Sequence, residues 1–103
     1  MSWPADVDGD VFRRLESHGF DFTKPHMVDF QIDFNSWPPS DEAIAILTRD
    51  YSVEQFEPES GSGFLQISVF SLLTYDFVIG MQDTLTRQLS PFGGVCEAWG
   101  VLS

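Results

Sequence analysis

Between His26 and Phe34 the residues alternate without a break: His26, Val28, Phe30, Ile32 and Phe34 on one side, Met27, Asp29, Gln31 and Asp33 on the other. A period of two over this length marks a β-strand buried on one face, because successive side chains point to opposite sides of the pleat. Covering both faces would place two aspartates and a glutamine in an apolar interior, so the sheet that holds this strand keeps an open, polar side. An all-helical fold and a parallel sheet wrapped on both faces are thereby excluded.

The other segments follow from their own periods and breaks. Val7, Val11, Phe12, Leu15 and His18 recur at intervals of three and four, which predicts a helix stopping at Gly19, with Asp8 or Asp10 capping its start. Trp37, Pro38 and Pro39 end the alternating strand, and Ser40, Asp41 and Glu42 open a second helix to about Arg49 with Ala43, Ile44 and Leu47 inward. A strand is expected over Tyr51 to Glu57, a turn at Ser60 to Gly63, and the most apolar strand over Phe64 to Leu73. Phe77, Met81, Leu85 and Leu89 make the inner stripe of a helix from Asp76, and Pro91, Gly93 and Gly94 lead into a last strand, Val95 to Val101.

A helix followed by two strand-helix-strand units predicts an α+β fold: a ferredoxin-like sandwich, βαββαβ, preceded by an extra N-terminal helix. Four antiparallel strands carry the helices on one face, with the first and third strands in the middle, and residues 1–103 read as one domain. Neither a linker nor a low-complexity segment divides it.

Composition narrows the function. Five basic residues against sixteen acidic ones leave a formal charge of −11, while hydrophobic residues make up 43% of the chain, too many for a disordered acidic tail. Such a surface repels phosphate backbones, so direct nucleic-acid binding is not expected; a basic protein patch is attracted instead. No apolar run is long enough to span a membrane, and the acidic opening does not resemble a signal peptide. The lone Cys96 can form neither an internal disulfide nor a thiolate metal site, and it fits a reducing cytoplasm.

Chemical motifs are sparse. Asp6, Asp8 and Asp10 alternate like the start of a calcium loop, but Val11 and Ser17 fall where that loop requires glycine and glutamate. Asp29 and Asp33, four residues apart on one strand face, lie about 13 Å from one another, too far to share a proton or a metal. Ser62 to Val69 matches the third strand of an RNA-recognition motif only at Gly63, Phe64 and Ile67. A serine replaces its cation, and Gln66 and Val69 replace the later aromatics that stack bases. Neither a nucleophile elbow nor a phosphate loop is present, and neither cofactor nor metal is expected.

The last strand reads GGVCEAWG, which resembles the closing signature of the RraB-like family, protein regulators of ribonuclease E activity, typically Gly-Gly-x-Tyr-Asp-Gly-Trp-Gly. Gly93, Gly94, Trp99 and Gly100 match, Glu97 keeps the acid, and Cys96 and Ala98 depart. Leu15, Gly19, Asp21 and Pro25, leading into the strand at Val28, are similar to the family's opening helix, turn and first strand. The resemblance spans about Val11 to Val101. It implies a ferredoxin-like fold with an added helix and a non-enzymatic role, in which best-known members bind the endonuclease. Those members carry an acidic C-terminal tail; here thirteen of the sixteen acids lie at or before Glu59.

Three functional readings remain open at this stage. The first is an acidic module that engages a basic protein, with ribonuclease E as the implied partner, through Asp29, Asp33, Glu54, Glu57, Glu59 and Glu97. Trp99 joins this surface if it stands exposed beside Glu97; otherwise it packs against the sheet or the first helix. The second is a ligand-binding or catalytic domain using Asp29, Asp33 and Glu97 with His26. The third is a homodimer formed through sheet aromatics such as Phe70.

Overall fold

In the computed structural model the described residues are 3–35, 37–57 and 63–101, with Glu97 described by its backbone alone. Eight elements follow one another: α1 (Val7–Ser17), β1 (Pro25–Phe34), α2 (Asp41–Asp50), β2 (Ser52–Phe56), β3 (Phe64–Leu72), α3 (Tyr75–Leu89), a single 3-10 turn (Ser90–Phe92) and β4 (Gly94–Val101). The strands form an open antiparallel sheet in the order β2-β3-β1-β4, which puts the two longest strands in the centre. The expected turn at Ser60 to Gly63 lies outside the described residues except for Gly63. Among the described residues no helix is long and apolar enough to cross a membrane.

The alternation of β1 becomes its packing. Val28, Phe30 and Ile32 are fully buried and Phe34 nearly so; they meet Leu65 and Ile67 of β3, Phe12 of α1, Ala43 and Leu47 of α2, and Val78, Leu85 and Leu89 of α3 in one core. Burying a side chain of this size contributes roughly 1.5–3 kcal/mol, so this layer is what holds the helices to the sheet. The inner stripe of α3 begins at Val78, while Phe77 and Met81, expected inside, are only partly buried.

Helix α1 departs from expectation at both ends. Its cap is Asp6, whose side chain accepts from the Gly9 amide at 2.7 Å; Asp8 and Asp10 lie inside the first turn. Val7, expected on the inner face, is 77% exposed; the buried positions of the helix are Gly9 and Phe12. Gly9 is buried so tightly that an added Cβ would sit 1.9 Å from the Pro4 carbonyl oxygen. Arg13 donates to the Trp3 and Pro4 carbonyls and pairs with Asp10, binding this segment to the helix. His18 is exposed at the helix end, its Nδ1 against the Arg14 carbonyl at 2.7 Å. The three carboxylates read as a possible calcium loop thus each have a protein partner.

Two long-range hydrogen bonds fasten α1. The Tyr75 hydroxyl donates to Asp6 at 2.5 Å, and the Trp99 indole N–H donates to Asp8 at 2.8 Å. The Asp6 bond pushes the Tyr75 hydroxyl up to about 12, helped by desolvation and by Asp6, Asp8 and Asp76. A phenol whose folded-state value is raised contributes stability that is complete below its unfolded value near 10 and is lost as the pH climbs toward 12. Wild-type protein is therefore expected to lose stability across that window while Tyr75→Phe does not, a contrast readable by chemical denaturation at stepped pH. Equal alkaline losses in both would show that the phenol does not carry the contact.

Strand β4 contains a register shift. Ile32 faces Cys96 but Gln31 faces Ala98, so one extra residue lies between them, a β-bulge. Phe30 and Ile32 point into the core, and their partners Trp99 and Cys96 therefore both lie on the helix side. Cys96 and Trp99 are three positions apart, and without the bulge strict alternation would send them to opposite faces.

The glycines before the bulge are structural. Gly93 has φ 78°, the left-handed region that favours glycine, and a Cβ there would lie 2.1 Å from Asn35 Oδ1. At Gly94 a Cβ would press within 2.9 Å of the Phe34 ring and Leu89.

Candidate functional site

The face of the sheet turned away from the helices follows from the register. Across the centre lie Ser52, Ser68, Asp29 and Gly100; beside them run Glu54, Gln66, Gln31 and Ala98. Toward one end the row is Phe56, Phe64, Asp33 and Val95, and toward the other Phe70 faces Met27 and Leu72 faces Pro25. Phe56 and Phe64 stack with centroids 5.0 Å apart, while Phe70 is 66% exposed and Met27, Leu72 and Phe56 are also exposed. A band of acids and amides is thus bordered by apolar side chains that water would otherwise favour hiding.

Within the band, Asp29 is half-buried and accepts from the Ser68 hydroxyl at 2.6 Å, which fixes its direction. Asp33 and Glu54 are exposed. Gly100, beside Asp29, has nothing within 4 Å of where a Cβ would stand, so this side of the carboxylate is open. Glu57 follows the edge strand β2, and its carboxylate accepts from Gln55 at 2.9 Å. Asp29, Asp33 and Glu54 are therefore brought together on one face and Glu57 lies at its margin. Glu59 and the Glu97 side chain lie outside the described residues.

Trp99 is not beside these acids. It is half-buried on the helix side, 5.5 Å from the Phe12 ring, with its indole N–H on Asp8. The bulge is the cause, and the packing alternative of the sequence reading is the one realised. Cys96 is buried in the same layer, its amide donating to Thr86 Oγ1 at 3.1 Å.

Of the residues weighed for catalysis, His26 stands apart from Asp29 and Asp33, and the Glu97 side chain lies outside the described residues. His26 has the parity of Val28 and Phe30, so it lies opposite the Asp29 face; its ring packs at a tilt against Phe20, with centroids 4.4 Å apart. Its Nε2 lies 2.8 Å from the Asp21 carbonyl, which can only accept, so that nitrogen carries the proton. Three cavities, around Tyr75, Ser68 and His26, are lined by neither Asp29 nor Asp33. Among the described residues no group of three or more His, Cys, Asp or Glu is placed to hold a metal ion. What the face can do is make contact: charge for steering, amides for hydrogen bonds and exposed rings for burial.

The sequence reading placed Met27 on this face without singling it out as a contact residue, and it did not assign Leu72 to a face. A signal for both was present, since Met27 shares the parity of Asp29, and Leu72 that of Gln66 and Ser68.

Comparison with protein families matches residues 5–101 to the model described as regulator of ribonuclease activity B. A search of curated proteins finds no match.

Proposed function

The chain belongs to the RraB family, regulators of ribonuclease activity, and from that membership we propose that it regulates a ribonuclease by binding the enzyme through the open sheet face. The partner is ribonuclease E or a similarly basic RNA-processing enzyme, and the chain acts in the cytoplasm as a non-enzymatic module of one domain, residues 1–103, without a cofactor. The strand order, with a helix between β1 and β2 and another between β3 and β4, supports reading the fold as ferredoxin-like with a preceding helix.

The observation that carries this reading is the band formed by Asp29, Asp33 and Glu54 between exposed Phe70, Met27 and Phe56. A net charge of −11 attracts a basic partner over a distance and disfavours RNA itself. The apolar borders then supply burial once the surfaces meet. Glu57, at the margin of the face, belongs to the contact surface in this reading, and Glu59 and Glu97 are assigned to it by their charge.

The test is a titration of the protein into a ribonuclease E cleavage reaction with the host's enzyme, at low and at physiological salt, with binding followed in parallel. Saturable inhibition with binding that weakens as salt rises is expected. Absence of binding at both salts would overturn the reading. The exposed Phe70, Met27 and Leu72 also favour a second reading, self-association through the same face, which light scattering of the protein alone decides.

A further inference from the structure

Away from the sheet's open face, residues 3 and 4 fold back where β3 passes into α3 and border a pocket of about 530 Å³, open on one side. Its lining includes Trp3, Phe22, Tyr75, Leu73, Thr74 and Asp76. The volume falls in the range of small-molecule sites, which are mostly apolar with a few polar groups. Trp3, Phe22 and Tyr75 are each half-buried, so their rings are anchored in the structure while part of each stays accessible. Trp3 and Phe22 lie 5.5 Å apart, and both pack on Phe12.

We propose that this pocket binds a small organic cation, a quaternary ammonium head on a short apolar body. Aromatic faces carry partial negative charge and attract such a head, most strongly when it is partly desolvated. The rings alone would also accept a neutral apolar guest; the carboxylates decide between them. Asp76 lines the pocket, and Asp6 reaches its edge through the Tyr75 hydroxyl at 2.5 Å. Asp8 stands nearby, held by Trp99. The nearby cation, Arg13, is engaged by Asp10 and by the Trp3 and Pro4 carbonyls. The raised Tyr75 hydroxyl registers the same negative surroundings.

An anion is disfavoured even though the pocket touches the start of α3. A helix N-terminus is equivalent to roughly half a positive charge, and the full charge of Asp76 alone exceeds it. The Thr74 hydroxyl is already occupied as the cap, accepting from the Phe77 amide at 3.1 Å. A primary ammonium fits less well, since it brings three N–H donors into a mostly apolar lining. Asp6 already accepts from Gly9 and Tyr75. A quaternary head has no N–H to satisfy and asks only for ring faces and net negative charge.

The test titrates choline into the intact protein and follows the backbone and indole resonances by NMR. Its neutral carbon isostere, with a tert-butyl group in place of trimethylammonium, is titrated in parallel. Choline is expected to saturate, to shift Trp3, Phe22, Leu73 and Tyr75, and to bind about tenfold tighter than the isostere, a difference of about 1.4 kcal/mol. Asp76→Asn, an exposed first-turn change, should weaken choline severalfold and leave the isostere unchanged, while Tyr75→Phe, which keeps the ring, should retain binding. Equal affinities for the two probes, shifts away from the pocket, or no saturation by choline at millimolar concentration would each overturn the proposal.

Discussion

Replacing Phe12 by alanine is expected to remove about 3–5 kcal/mol of stability, the range for deleting a fully buried aromatic side chain. For a chain of this length that is a fall of roughly 15 °C or more in the thermal midpoint. The ring is fully buried, with centroids 5.4 Å from Trp3, 6.0 Å from Phe22, 6.1 Å from Tyr75 and 5.5 Å from Trp99. It therefore joins α1 to β4, to the start of α3 and to the segment before the helix. Its removal leaves a cavity that several rings border, and flat rings fixed on other elements collapse poorly into such a space. Val7→Ala on the same helix, at a side chain 77% exposed, should change the midpoint very little. Thermal unfolding of the two variants checks this directly. A loss below about 1 kcal/mol for Phe12→Ala would show that α1 contributes little to the cooperative unit.

The double variant Asp29→Lys/Asp33→Lys is expected to weaken binding to the ribonuclease partner by roughly 30-fold or more. Each reversal replaces an attraction by a repulsion, and each charge contact at about 4 Å is worth about 1 kcal/mol in water and more when partly desolvated. The matched control is Asp41→Lys/Glu42→Lys, which makes the same change in net charge at the exposed first turn of α2. That variant should lower the association rate modestly through the long-range field and leave the dissociation rate nearly unchanged. Surface plasmon resonance at two salt concentrations separates the outcomes. If both double variants lose affinity equally, net charge and not the sheet face governs binding. If Asp29→Lys/Asp33→Lys binds like wild type with an unchanged salt slope, the contact surface lies elsewhere.

Much of this architecture is legible in the chain because its strongest signals agree. The error-free alternation from His26 to Phe34 makes β1 a central strand with one open face, and the open face is where Asp29 and Asp33 are found. The proline and glycine breaks at Pro38, Pro39, Gly93 and Gly94 bracket elements whose ends differ by only a residue or two from those observed. What could not be read depends on tertiary geometry. Asp6, Asp8 and Asp10 are equivalent as letters, and which of them caps the helix, like the exposure of Val7, shows only in the folded chain, where Pro4 presses on Gly9. The inner stripe of α3 starts at Val78 because the helix meets the sheet slightly rotated from the face that Phe77 and Met81 suggest. The apolar borders were hidden for a different reason: Met27 and Leu72 look like core letters, and only strand parity assigns them to the open face.

The bulge in β4 shows where sequence letters stop carrying the answer. Trp99 lies three positions from Cys96, an odd spacing that plain alternation sends to the opposite face, and the bulge absorbs the odd residue so that both face the helices. The bulge acts as a frame correction for the sheet: straightening it at unchanged length would turn Trp99 outward, whereas deleting the extra residue would leave Cys96 and Trp99 two positions apart and on one face without any bulge. The tie between the last strand and the first helix therefore rests on register as well as on side chains.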